Sequence, residues 1–362
     1  MLLAGIHIII YKSRCLLWRA LALCLLALPL RLAAQEVDLA AWLSYLPDGR
    51  QLSMLSLPGA HDAATGEGVR CVPGFGVTQV LSLSEQWDCG VRAFDLRPAV
   101  ADTALLICHG RLRTAISFSE ALQVMVEKLE QHPTEFAVVL LREEIEAESN
   151  DDRLRWPSMV GQAIAALGER AATFHPAITV GEMRGKILFL TRNAYFGTSR
   201  GAQIKGWSHA PQGTQNAKLT SVADGSCVSL QVQDFYRPTN RERAAQKTTG
   251  VMRFFQLAAA APEAWTINFL SGYATTWLGC TPLATTSGYK RHAAALHPLV
   301  ADHLEKTPPT ARHPLGLVFF DFVGADTVRG GLWHWQAFET QGLRLLQLIV
   351  ERNAPFLPAA PH

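Results

Sequence analysis

His61-Asp62, Asp95-Leu96-Arg97, His109-Gly110, Asp234-Phe235-Tyr236 and Asp321 each stand at or just beyond the end of a short apolar run. Two histidines can take a proton from one reacting oxygen and return one to another. Aspartates can orient each imidazole and stabilise its cation, and arginines can hold an anion between them. Such a set suits phosphoryl transfer. Asp95 and Arg97, two apart on a strand, face the same side, and Arg97 offers phosphate oxygens a planar, permanently charged fork. The position two after Asp95 is therefore a cation and not another acid, and no carboxylate cluster is left for a divalent ion. The expected chemistry needs neither metal nor other cofactor. Taken singly, each residue has an ordinary role: a surface histidine, an N-cap or turn aspartate, a structural ion pair, a solvated arginine. Their joint placement at strand ends is what favours a site.

The elements that must position them are legible as eight apolar, β-branched runs: 52–57, 91–96, 104–108, 136–141, 186–190, 228–232, 265–269 and 315–320. Six stretches between or after them, 78–89, 117–131, 152–167, 240–260, 288–306 and 332–352, carry apolar residues at helical spacing. Eight strands alternating with helices predict an α/β fold, a single (β/α)8 TIM-type barrel. It is irregular: only 97–103 separates strands two and three, too short for a helix, and 191–226 reads as long loop. In such a barrel the strand C-termini share one rim. Arg142 then joins the site from strand four, Arg192 from strand five, Asp234 and Tyr236 from strand six, and Tyr273 from strand seven. Strand eight closes beside strand one, which brings Asp321 to His61.

The 362 residues are 49% apolar and 18% charged with a net charge of +2, a composition that buries a large core and gives no field for nucleic acid. Residues 1–34 differ in kind. Lys12, Arg14 and Arg19 precede an apolar run from Ala20 to Leu30, and Leu32-Ala33-Ala34 offers a cleavage point before Gln35. This reads as a signal peptide, leaving 35–362 as the catalytic barrel in a secreted or periplasmic protein. Cys71, Cys89, Cys108, Cys227 and Cys280 lack a zinc spacing, and export permits one or two disulfides with the pairing left open. The stretch 271–281 holds Tyr273, Trp277 and Leu278, aromatic and apolar groups suited to transient contact with a membrane surface.

Several segments resemble the bacterial phosphatidylinositol-specific phospholipase C family, the X-domain barrel. They are Leu57-Pro58-Gly59-Ala60-His61-Asp62, the run Gly90 to Pro98 with Phe94-Asp95-Leu96-Arg97-Pro98 at its end, Cys108-His109-Gly110, Val232-Gln233-Asp234-Phe235-Tyr236 and Phe320-Asp321-Phe322, in order along the chain. The resemblance implies a monomeric enzyme acting on a phosphoinositide lipid. It casts His61 as general base oriented by Asp321, and His109 as general acid partnered by Asp62. Arg97, set by Asp95, would stand where eukaryotic relatives use calcium. The implied products are diacylglycerol and inositol 1,2-cyclic phosphate. Arg192, Asp234 and Tyr236 fall where the family contacts the headgroup, Arg142 stands where its bacterial members have a lysine, and Tyr273 is a further candidate for substrate contact. Ala60 and Ala63 replace hydroxyl residues of the usual motif. Two other readings remain: a metal-dependent glycerophospho- or sphingomyelin-type phosphodiesterase, which Arg97 opposes, and a non-catalytic exported phospholipid-binding barrel.

Overall fold

Runs buried on both faces form the strands. In a computed structural model, which describes residues 37–69, 76–144, 150–207, 214–236, 241–261, 263–273, 288–307, 309, 314–330, 336–353 and 356–357, β1 (Ser56–Ala60) and β2 (Ala93–Leu96) are buried along their whole length. At Arg97 the chain leaves the barrel. There β3 (Pro98–Ala101), β4 (Ala104–His109) and β5 (Leu112–Ser117) make a separate antiparallel sheet. The barrel resumes with β6 (Ala137–Leu141), β7 (Ile187–Thr191), β8 (Ala202–Lys205), β9 (Thr214–Ser221), β10 (Cys227–Gln233), β11 (Trp265–Phe269) and β12 (Gly316–Phe320). It closes where β12 pairs with β1, Ser56 opposite Gly316 through Ala60 opposite Phe320. Neighbouring barrel strands are parallel except at β9, which is antiparallel to both β8 and β10. A small hairpin of β13 (Thr327–Gly330) and β14 (Gln336–Glu339) lies outside it.

The helices are α1 (Leu83–Asp88), α2 (Phe118–Gln131), α3 (Asn150–Ala166), α4 (Val180–Met183), α5 (Arg241–Ala260), α6 (Gly288–Lys306) and α7 (Gly342–Glu351). Capping boxes start three of them, Thr179 with Glu182 opening α4. Ser82 with Glu85 and Ser117 with Glu120 satisfy the first free amides of α1 and α2 reciprocally. Among the described residues no helix is long and apolar enough to cross a membrane.

The end of the barrel opposite the strand C-termini is held by a buried ion pair. Arg92 and Glu135, both fully buried, meet at 2.7 Å just before β2 and β6. Arg92 also donates to the carbonyls of Trp87, Val91 and Ala40, and Glu135 accepts the Leu43 amide at 3.1 Å. The N-terminal 3-10 turn Leu39–Tyr45 is thereby tied beneath the barrel.

The α/β barrel expected from sequence is present, and its differences in detail have physical causes. The expected third strand, 104–108, is β4, the middle of the side sheet, and forms no part of the barrel wall. Its alternating exposure marks a strand with one wet face. Two barrel strands, β8 and β9, lie in the stretch read as loop. In β9 only Ala217, Leu219 and Ser221 are buried, between more exposed polar residues, so no apolar run announces it. Residues 52–54, expected in strand one, form a 3-10 turn. The helix expected over 332–352 resolves into β14 and α7. The 1–34 segment, Cys71, Cys280, Trp277 and Leu278 lie outside the described residues. Cys89 and Cys227 are free thiols.

Candidate active site

Parallel strands deliver their C-terminal residues to one rim, and the predicted residues arrive there. His61 follows β1, its amide bonded to the Phe320 carbonyl at 3.1 Å. Asp95 is in β2 and Arg97 at the corner where the chain turns outward. Arg142 follows β6, Arg192 follows β7, Asp234 and Tyr236 follow β10, Tyr273 follows β11, and Asp321 follows β12. His109 comes from outside the barrel, at the end of β4, carried to the rim by the side sheet.

Six residues, Asp62 among them, form one cluster of hydrogen bonds and close charge contacts. His61 Nδ1 lies 2.7 Å from Asp321 Oδ1, and His61 Nε2 lies 2.9 Å from Arg97 Nη2. Arg97 Nε reaches Asp62 Oδ1 at 2.9 Å and Nη2 reaches Asp95 Oδ2 at 2.8 Å. Asp62 Oδ2 stands between the two imidazoles, 3.2 Å from His61 Nε2 and 3.5 Å from His109 Nε2. Asp62 therefore serves both histidines and Arg97, where the sequence pairs it with His109 alone. Its backbone is left-handed, φ 44 and ψ 51, an uncommon conformation for a non-glycine residue, and its amide donates to Asp95 Oδ2 at 3.3 Å.

The geometry fixes which nitrogen of each imidazole is available. A guanidinium only donates, so the 2.9 Å contact requires a lone pair on His61 Nε2, and the ring proton sits on Nδ1, given to Asp321. Burial, then the nearby positive charges led by Arg97, pushes His61 well below the usual imidazole range, so the ring is neutral. Burial also drives Asp62 up to about 6, against the pull of Arg97 and His109. Arg97 stays charged: burial would discharge it, but Asp62 and Asp95 beside it raise it well above its ordinary value. His109 Nδ1 donates to the Gly76 carbonyl at 2.7 Å, leaving Nε2 toward Asp62. Gly76 has φ +68, and a Cβ there would stand 2.3 Å from Leu112 Cδ1, so only glycine aims this carbonyl at the ring.

His61, Asp62 and Asp95 bring ligand-type atoms within 4.8 Å of one another, the one such cluster among the described residues. Arg97 bonds all three and takes the central place a cation would need.

The expected headgroup residues sit around this cluster. Arg142 pairs with Glu144 at 3.2 Å, and Glu144 in turn lies 3.9 Å from Arg97. Arg192 stacks over Trp207 at 4.0 Å from the ring centroid, and burial, then Arg142, lowers it to about 10. Tyr273 packs at a tilt against the Tyr289 ring, which meets His109 at the same tilt of 59° and lies 3.2 Å from His109 Nε2 through its hydroxyl. The Tyr273 amide bonds the Tyr236 carbonyl at 3.0 Å.

Sequence reasoning missed Glu144, Tyr289 and the pair that hold the His61 turn. Gln79 donates to the His61 and Phe320 carbonyls at 2.9 and 3.0 Å, and Thr78 Oγ1 donates to the His61 carbonyl at 3.1 Å. Thr65 and Thr78 thus place hydroxyls beside the turn, where Ala60 and Ala63 supply none. Glu144 could have been found as the acid two after Arg142; the others carry no local signal.

Fold and site together define an α/β barrel whose strand-end rim gathers two imidazoles around a guanidinium. Its resemblance is to the bacterial phosphatidylinositol-specific phospholipases C, as the sequence motifs indicate. The chain is 26% identical over 292 residues to the 1-phosphatidylinositol phosphodiesterase of Listeria monocytogenes serovar 1/2a, covering 80% of this chain and 82% of that protein. It is 27% identical over 207 residues to the protein of the same name from Staphylococcus aureus strain Newman, covering 54% and 64%. Among solved structures, a pentafluoro-Phe-incorporated phosphatidylinositol-specific phospholipase C from S. aureus aligns with a TM-score of 0.67 at 21% identity, over 87% of this chain and 98% of that one. The Listeria enzyme's structure gives 0.62 at 21%, over 88% and 99%. No protein-family model matches the chain.

Proposed function

We propose that this chain cleaves phosphatidylinositol, or a related glycosyl-phosphoinositide, to diacylglycerol and inositol 1,2-cyclic phosphate without a metal. The observation that carries the reading is the unbroken contact chain Asp321–His61–Arg97–Asp62–His109 at the barrel rim. The inositol 2-hydroxyl takes Arg97's place on His61 Nε2 and gives its proton there, while Nδ1–H to Asp321 stabilises the imidazolium formed. The freed oxygen attacks phosphorus, and the bond from phosphorus to the glycerol oxygen breaks. His109, entering the step as the imidazolium with its Nδ1–H on the Gly76 carbonyl, gives its Nε2 proton to that oxygen and is left neutral. Arg97, its orientation set by Asp62 and Asp95, stabilises the charge that builds on the phosphoryl oxygens. Arg142, Arg192, Asp234, Tyr236 and Tyr273 frame the headgroup. The enzyme acts as a monomer in transient contact with a membrane surface, exported with residues 1–34 removed.

Incubating the purified protein with phosphatidylinositol in excess chelator tests this by phosphorus NMR. The cyclic phosphate should appear, and His61→Ala and His109→Ala should each slow its formation about 100- to 10,000-fold. Activity that vanishes with chelator and returns with a divalent ion would instead favour the metal-dependent reading on the His61, Asp62 and Asp95 cluster.

A further inference from the structure

One group at the reacting nitrogen of His109 has no part in the chemistry above. The Nδ1 proton of His109 is fixed on the Gly76 carbonyl, so Nε2 is the nitrogen that exchanges protons. Asp62 Oδ2 stands 3.5 Å from Nε2, and the Tyr289 hydroxyl stands 3.2 Å from it. The two differ in what they can give. A carboxylate only accepts, so Asp62 suits the imidazolium, whose Nε2 carries a proton. A hydroxyl also donates, so Tyr289 suits the neutral ring, whose Nε2 carries a lone pair.

The Tyr289 side chain is held by its neighbours. It is the second residue of α6, and it packs against the small core cluster of Ala293, Phe322 and Val328. The Tyr273 ring lies against it at 5.2 Å between centroids, and the His109 ring at 5.6 Å. Burial, then the charges of Asp62 and Asp321, raises the phenol above its ordinary range, so the hydroxyl keeps its proton.

Cleavage of the lipid leaves the site in a defined state. His61 has gained the proton of the 2-hydroxyl and His109 has given one to the glycerol oxygen, so His109 is neutral beside the cyclic phosphate. Hydrolysis of that cyclic ester would run the same steps backwards with water in the place of glycerol. Water would give a proton to the lone pair on His109 Nε2 while its oxygen bonds to phosphorus. The bond from phosphorus to the 2-oxygen would break, and that oxygen would take the proton held by His61. The step needs the very lone pair that the Tyr289 hydroxyl can occupy. Nε2 has one lone pair, so phenol and water compete for it.

We propose that Tyr289 sets where the reaction stops: its hydroxyl caps neutral His109 at Nε2, denies water its base, and lets the cyclic phosphate leave unhydrolysed. Tyr289 acts through His109 and is a positioning residue. The inference rests on the phospholipase reading, and the two fail differently: that reading falls if the wild-type protein releases no diacylglycerol from phosphatidylinositol.

The test uses Tyr289→Phe, which removes the hydroxyl and keeps the ring, with folding checked by circular dichroism. Two values of kcat/KM are measured by phosphorus NMR in wild type and variant: cleavage of phosphatidylinositol, and hydrolysis of supplied inositol 1,2-cyclic phosphate. A single hydrogen bond is worth about 2- to 10-fold, and the ratio of hydrolysis to cleavage should rise by that factor in the variant. A purely structural role would slow both reactions and leave the ratio in place. A folded Tyr289→Phe protein whose ratio is unchanged or lower overturns the proposal. Should the variant not fold, nitrogen-15 NMR of histidine-labelled wild type decides. Neutral His109 must carry its proton on Nδ1 and accept a hydrogen bond at Nε2; an Nε2–H tautomer, or an Nε2 with the shift of a free lone pair, refutes the proposal.

Discussion

Asp62 carries conflicting demands. It is buried, left-handed in its backbone, and shared between two imidazoles and a guanidinium. Burial raises it to about 6, so the folded state holds its proton more tightly than the unfolded chain does. Below the unfolded carboxylate range both states are protonated and no penalty exists. As pH rises through about 6 the folded protein must carry a buried charge, and stability is lost. Two units of such a shift correspond to at most about 3 kcal/mol. The neutral isostere Asp62→Asn should therefore gain stability over wild type in urea denaturation at pH 8, the difference vanishing by pH 4, while its turnover falls about 100-fold. At this scale the sequence was most informative. His61, Asp62, Asp95, Arg97, His109 and Asp321 could be read because each ends an apolar run and together they suit one chemistry. Tyr289 could not, because a tyrosine in Gly288-Tyr289-Lys290-Arg291 reads as an ordinary helix residue, and only packing at the rim brings its hydroxyl to His109.

The elements divide between those that carry chemistry on one rim and those that hold the opposite end. Arg92 and Glu135 lie before β2 and β6, far along those strands from Asp95 and Arg142, and tie the N-terminal turn to both. Removing one partner leaves a fully buried charge unpaired. Glu135→Ala should cost about 3 to 5 kcal/mol in urea denaturation. The same variant should keep wild-type kcat at a temperature where it remains folded, because no rim residue contacts it. Strands buried on both faces, such as β6 and β12, were legible as uninterrupted apolar runs. Half-wet strands are not: the apolar positions of β4 read equally well as barrel wall, and β9 reads as loop because polar residues alternate along it. Helices with strong periodicity, α2, α5 and α6, fell nearly where expected. The 332–352 stretch differs because the residues before α7 form hairpin strand β14 while also satisfying a helical spacing.

At the scale of the molecule, a net charge of +2 over 362 residues means that long-range attraction contributes little to meeting a lipid surface. Raising salt from about 0.1 M to about 1 M shortens the screening length from about 10 to about 3 Å. Sedimentation with vesicles of neutral lipid and phosphatidylinositol should show binding nearly unchanged across that range; a steep loss would place a concentrated basic surface where overall charge shows none. The barrel itself was legible as a whole because repeated strand and helix signals fix its class even when single strands are misplaced. The reversed strand has a consequence of its own. Between other barrel strands the chain can cross back over the outside, but β8 and β10 run the same way with only β9 to join them, and parallel neighbours cannot be linked by a tight turn. Trimming the wall to eight staves by excising β9 would therefore leave the polypeptide at the catalytic end with no route home: the odd stave is the stairwell of the building.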